Sequence, residues 1–329
     1  MANSTLQAII TKVRRVTGTL SPNQVSDADI TEYVNTFIAY DFPEELRTWT
    51  LRVTLTWYAQ PFIDTYATDA TGVGPLMNFE QNYLNTHPPV YCAGYKLLYT
   101  QSREEFFNYW PFTNAIQMIS SGDGITTDFT GVLTSGIPVL RNNVTFVSID
   151  ANNNGLQLAD DGNGNLVNPN GGVGAGPNTI NYVTGAYQLS FPVPPGPQQQ
   201  VNSETFPYTT GRPTTLLYYD GAFTIRPVPN QPYPIIMEVD ARPSQLMQLG
   251  QSPQLEEWWQ YIAYGASMKL LQDRANYERV EEIRPEFHKQ QLLVLRRTTQ
   301  QLSNERSMTI YTQQANIGGW NSPFGNGIY

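Results

Sequence analysis

The stretch LEEWWQYIAYGASMKLLQDRANYERVEEIRPEFHKQQLLVLRRTTQQL, Leu255–Leu302, holds most of the strong helix formers of the chain and decides how the rest is read. Leu255, Trp258, Trp259, Ile262, Ala263, Ala266 and Leu270 recur at intervals of three and four. That spacing predicts the buried stripe of an amphipathic helix. Its polar positions carry both signs of charge, Glu256, Glu257, Lys269, Asp273, Arg274, Glu278, Arg279, Glu281 and Glu282, which predicts a solvated or interhelical surface rather than a nucleic-acid patch. Proline suits a first helical turn and disrupts an interior, so Pro285 predicts the start of a second helix, with Tyr277–Arg284 near the junction.

A buried stripe needs partners, and the N-terminus offers two. Leu6, Ile9, Ile10 and Val13 share one helical face and Gly18 follows as a cap, predicting a helix over residues 4–17. Ser26 and Asp29 form a capping pattern for a second helix through Ile30, Val34, Phe37 and Ile38, which Pro43 helps to end. Trp258, Ile262, Ala266 and Leu270 are therefore expected to pack on this hairpin. From Trp49 the period becomes two: Trp49, Leu51, Val53, Leu55 and Trp57 alternate with threonines and Arg52, predicting a strand. Residues 59–89 read as loop, Val90–Tyr99 as a strand, and Ser102 with Glu105 caps a short helix. Between 112 and 207 helix formers give way to Gly, Asn, Pro and short β-like runs, which predicts an inserted antiparallel β-domain. A hairpin around Asp220-Gly221 and a strand at Ile235–Val239 lead back to the helices. The expected class is α+β: scaffold segments 1–111 and 208–306, the insertion 112–207, and a C-terminal arm 307–329.

A net charge of −9 argues against a protein that grips DNA through its phosphates. The single cysteine, Cys92, excludes an internal disulfide framework and reads as a small buried apolar residue. Basic residues follow the apolar ones at the N-terminus, the reverse of a secretory signal, and no apolar run reaches membrane-spanning length, so synthesis in the cytosol is expected. In the tail, Trp320, Phe324 and Tyr329 stand among Gly and Asn, fitting either disorder or an arm whose aromatics lie in pockets of a neighbouring subunit.

Chemistry is sparse. His87 and His288 are the only side chains that ordinarily titrate near neutrality, and no nucleophile elbow, phosphate loop, zinc helix or dinucleotide fingerprint is present. No catalytic residue and no cofactor is expected. Asp150, Asn152, Asn154 and Asp161 occupy ligand positions of a calcium-loop pattern, but Asp replaces the usual final Glu and the flanks read as strands, so a turn-rich hairpin tip competes with an ion site. Arg14 and Arg15, and Arg296 and Arg297, either complement helix C-termini or offer basic contacts to a partner.

The order LLYYDGAFTIRPVPNQPYPIIMEVDARP (216–243), then WWQYIAYGASMKLLQD (258–273), resembles the head-to-tail connector adaptors of tailed bacteriophages. ITKVRRVTG (10–18) and SDADITEYVNTFIAYDFPEELR (26–47) are similar to phage neck proteins, and DDGNGNL (160–166) with NTINYVTGAYQLSFP (178–192) resembles small β-domains of baseplate and connector proteins. The resemblance covers about two thirds of the chain. It implies a structural, non-enzymatic subunit of a homo-oligomeric ring, usually dodecameric, between portal and tail proteins in the virion neck, assembled in the host cytoplasm, with DNA passing through its lumen. The large insertion departs from the minimal adaptor and leaves open a tail or baseplate component. Its Gly, Asn and aromatic content also suits a carbohydrate-binding adhesin module.

Overall fold

A computed structural model describes residues 4–19, 21–46, 51–169, 171–172 and 174–302. The fold is α+β, and its internal contacts divide it at Val53/Thr54 and Val239/Asp240 into a helical unit and a β unit. That boundary differs from the expected one: the strands assigned with the helices belong with the insertion.

In the helical unit, α1 (Leu6–Thr17) is capped by Thr5 and ends at Gly18 in the left-handed conformation. Glycine suits this position because its φ is 71°, a left-handed conformation that L side chains rarely adopt. α2 (Asp27–Thr36) begins with the full Ser26/Asp29 capping box. Pro43 does not end this helix. The chain passes through a π-helical turn at Phe37–Asp41 into one further turn, α3 (Phe42–Glu45), with Pro43 in its first turn. Proline has no N–H to give the carbonyl of Ala39 four residues back. Arg242 supplies the missing donor, its Nη1 lying 2.7 Å from Ala39 O.

α6 (Trp259–Asp273) and α7 (Tyr277–Leu302) complete the unit. Ile262, Ala266 and Leu270 are buried and Trp258 is half-buried, all in one core with Leu6, Ile9, Val13, Ile30, Val34 and Phe37. Each fully buried aliphatic side chain in such a core is worth roughly 1.5–3 kcal/mol. The helix break falls at Arg274–Asn276, where Ala275 has φ 54°, and Pro285 lies inside α7. Glu281, whose carbonyl loses its donor to the proline, sits with Pro285 on the exposed face, where solvent can reach the freed carbonyl.

The β unit holds a seven-stranded sheet: β1 (Arg52–Ala59), β2 (Thr65–Ala67), β3 (Tyr83–Cys92), β4 (Tyr95–Thr100), β13 (Thr215–Tyr219), β14 (Ala222–Arg226) and β15 (Tyr233–Ala241). Their spatial order is β1-β15-β3-β4-β13-β14-β2. β13 runs parallel to β4, whereas β3–β4, β13–β14 and β14–β2 are antiparallel. Leu55, Trp57, Ala59, Val90, Cys92, Leu97, Leu216, Phe223, Ile225, Ile235, Met237 and Val239 point into one core. The sheet curls until its two edges approach: Trp57 of β1 and Tyr66 of β2 are 4.7 Å apart between ring centroids.

Two strand expectations need correction. Val90–Tyr99 is a hairpin, because Ala93 and Gly94 both take positive φ and fold the chain between β3 and β4. In β1 the inward residues are Leu55, Trp57 and Ala59, while Val53 is exposed and Leu51 joins the helical core; Trp49 lies outside the described residues. Residues 59–89, read as loop, contain β2, the one-turn helix α4 (Phe79–Asn82) and most of β3. α5 (Arg103–Tyr109) starts at Ser102 as its spacing predicts.

The insertion is antiparallel. Sheet β5-β12-β7-β8-β9 comprises β5 (Ala115–Ser121), β7 (Thr145–Ile149), β8 (Gly155–Asp160), β9 (Leu166–Val167) and β12 (Gln200–Thr205). Sheet β10-β11-β6 comprises β6 (Asp128–Val132), β10 (Thr179–Ile180) and β11 (Ala186–Ser190). Phe146, Leu158 and Val201 from the first meet Ile180, Tyr187 and Leu189 from the second in one core, a β-sandwich.

Candidate assembly surface

Several charged side chains of the helical unit tie its own segments together. Arg14 is buried and donates to the carbonyls of Thr19, Ser21 and Val25 at 3.1, 3.2 and 2.9 Å and to Asp27 Oδ1 from Nε at 3.2 Å. Expected as a basic contact, it instead ties the α1–α2 connection together, because four fixed acceptors match its planar fork of donors. Arg279 donates to Thr17 O at 2.7 Å, Arg274 to Gln24 O at 2.6 Å, and the Tyr33 hydroxyl to Asp273 at 2.7 Å. Lys269 pairs with Asp41 at 2.9 Å, and Ser4 donates to Glu256 at 2.6 Å. Glu256, Lys269, Asp273, Arg274 and Arg279 thus bind N-terminal segments, while Glu278, Glu281 and Glu282 stand exposed, so both the interhelical and the solvated expectation apply to parts of this surface.

Arg297 is also engaged: it pairs with Glu257 at 2.8 Å and lies over the Trp258 ring, 5.8 Å from its centroid. Arg15 and Arg296 are the two members of the basic pairs that stand exposed without such a lock.

α7 buries one apolar stripe: Val280, Phe287 and Val294 point inward, and the Phe287 ring stacks on Tyr261 with centroids 4.9 Å apart. Outside that stripe Leu292, Leu293 and Leu295 are 65%, 46% and 42% exposed. With about 3.6 residues per turn, Leu293 and Leu295 flank buried Val294 on opposite edges of the stripe and Leu292 lies nearer the outer side, so the three widen the apolar surface of the helix without sharing one face. Exposed leucines bordering a buried stripe are candidates for contact with a partner. Sequence periodicity does not single them out, because the inward and outward apolar positions together blur the stripe. The expected arm residues, Trp320, Phe324 and Tyr329, lie outside the described residues.

The calcium pattern is split by the fold. Asp150 and Asp161 flank opposite ends of β8, about 20 Å of strand at ~3.3 Å per residue. Each carboxylate closes its own loop in the same way. Asp150 accepts from the backbone N–H groups of Asn152 and Asn154 and the Asn154 amide, all at 2.8–2.9 Å. Asp161 accepts from the N–H groups of Asn163 and Asn165 and the Asn165 amide at 2.8, 3.1 and 2.9 Å. The Asn side-chain amides, then the backbone donors, hold both carboxyls below the usual carboxylate range. The four residues do not form one coordination shell, and among the described residues no cluster of three or more His, Cys, Asp or Glu is placed to hold a metal ion.

The remaining chemical candidates sit apart. His87 lies within β3 rather than in a loop, and His288 is exposed on α7 beside Gln291, 3.1 Å away. Cys92 is fully buried, and burial pushes its thiol up to about 11. Among the described residues no helix is long and apolar enough to cross a membrane. No family model matches the chain, and no curated protein matches it.

Proposed function

We propose that the protein is a non-enzymatic, ring-forming subunit of a phage neck, a head-to-tail adaptor that joins portal to tail proteins and lets DNA pass. The observation that supports this reading is the set of exposed leucines on α7, Leu292, Leu293 and Leu295, on a helical unit whose inner core is already filled. Further support comes from charge. A lumen through which DNA slides must not hold phosphates tightly, and a chain of net charge −9 with Arg14 buried among internal acceptors and Arg297 paired with Glu257 meets that requirement. The protein would assemble in the host cytoplasm and reside in the virion. Mass measurement and negative-stain imaging of the full chain, alone and with purified portal, test it. Closed rings are expected, and a chain that stays monomeric even with portal refutes the proposal.

A further inference from the structure

Where the edges of the curled sheet approach, they leave a cleft of about 450 Å³. Thr56, Trp57 and Tyr58 of β1 line one side, Thr65 and Tyr66 of β2 the other, and Val73 stands at the rim, 83% exposed. Both strands are terminal in the sheet order, so each presents a backbone edge with no ladder partner among the described residues. Unpaired edges template the pairing of an added extended chain. Trp57 adds an independent sign of a missing partner: it is 3% exposed, and its indole N–H has no hydrogen-bond acceptor. A buried donor left unpaired costs about 1–3 kcal/mol, which an incoming acceptor would recover. No charged residue lines the cleft.

The chain contains a segment of matching chemistry. From Ser307 to Tyr329 it has no Asp, Glu, Lys, Arg or His, and it spaces Trp320, Phe324 and Tyr329 among Gly, Asn and Gln. An uncharged, aromatic segment suits an uncharged slot with an orphan indole donor and open edges. Residues 303–329 reach up to roughly 90 Å when extended, at ~3.3 Å per residue. We infer that the cleft between β1 and β2 receives the C-terminal segment of a second copy of this chain, with an aromatic side chain over Trp57 and Tyr66 and backbone pairing along the open edges. This deepens the ring reading and rests on it for the choice of a second copy. A cyclic assembly joins two different patches of each subunit head to tail, and a cleft with a complementary tail on the same chain is such a pair.

The test uses full-length chains. A fluorescent peptide of residues 309–329 is titrated by anisotropy against a receptor carrying W320A, F324A and Y329A, whose own tail is disarmed. Saturable binding is expected, weakened at least tenfold when Val73→Glu places a charge at the rim, and absent for a peptide with the three aromatics replaced by alanine. Protection of Cys92 from a thiol reagent shows that each receptor is folded. The disarmed-tail chain is then mixed with Val73→Glu chains, each defective for self-association. Because one keeps the cleft and the other the tail, hetero-pairs are expected. A peptide that does not bind the folded receptor overturns the inference, while rings formed by the unaltered chain would leave the adaptor reading standing. Peptide binding without hetero-pairs places the tail in its own cleft and overturns the second copy.

Discussion

Gly265 sets how closely α6 can approach the ring of Phe37, and replacing it with alanine is a demanding test of the core. The added Cβ would lie 2.2, 2.3 and 2.5 Å from three ring atoms, against a comfortable carbon separation of about 3.5–4.0 Å. The ring therefore has to retreat by more than an ångström. It cannot do so freely, since Tyr261, Phe287 and Phe42 surround it with centroids 5.3, 6.2 and 6.3 Å away. Alanine gains about 1 kcal/mol over glycine in a helix interior. Overpacking of this kind costs about 1–3 kcal/mol and occasionally more, and a methyl wedged against a fenced ring belongs at the upper end. A net loss of about 1–2 kcal/mol is expected for G265A. Hydrogen exchange of the α6 amides reads it within the helical unit, free of the β unit. Phe37→Leu removes ring atoms from the point of collision, so the double variant should be more stable than the sum of the singles by about 1 kcal/mol or more. A G265A protein as stable as the parent, or additivity within about 0.5 kcal/mol, would refute this account of the core.

Further outcomes follow from the charges and the buried thiol. Arg14→Ala strands three carbonyls and should destabilise the helical unit by about 2–3 kcal/mol in urea denaturation, whereas Arg15→Ala should change nothing measurable. Hydrogen bonds from the Thr126 hydroxyl, then the Thr126 and Ile125 backbones, hold the Asp123 carboxyl down at about 2. Its folded-state value is depressed, so its contribution is present above the ordinary carboxylate range and is lost as pH falls from about 4 through 2. Asp123→Asn should flatten the acid limb of a stability–pH curve there, and an unchanged slope counts against the turn. Thiol reagents should modify Cys92 only when the β unit opens, so modification in native buffer at the rate of a free cysteine would contradict its burial. Replacing Pro285 with alanine restores a helix bond and should raise stability by up to about 3 kcal/mol, seen as slower exchange of neighbouring α7 amides.

The helices were legible because their signals are local. The Ser26 capping box, the Gly18 cap and the three-four spacing in α6 each need only a few residues of sequence. Pro285 misled because its cost depends on whether the freed carbonyl meets water, which only the exposed face of α7 reveals. Pro43 misled for the complementary reason: its lost bond is replaced by Arg242, about two hundred residues away in sequence. The Ala93-Gly94 turn escaped notice because alanine rarely takes positive φ. Of the basic pairs that sequence offers as partner contacts, Arg14 is buried among internal acceptors and Arg297 pairs with Glu257. The exposed leucines of α7 and the β1–β2 cleft depend on which side of an element another element covers. Periodicity finds apolar faces but does not say which will stay uncovered.

The helical unit is assembled from two ends of the chain, with the β unit entered after Val53 and left before Asp240. Because β1 and β15 are neighbours in the sheet, the outgoing and returning strands lie side by side. During synthesis the β unit can therefore close while α1–α3 still wait for α6. The β1–β2 cleft is thus complete in sequence long before the exposed leucines of α7 are made, so the two exposed apolar features of the chain arise at different stages of its synthesis.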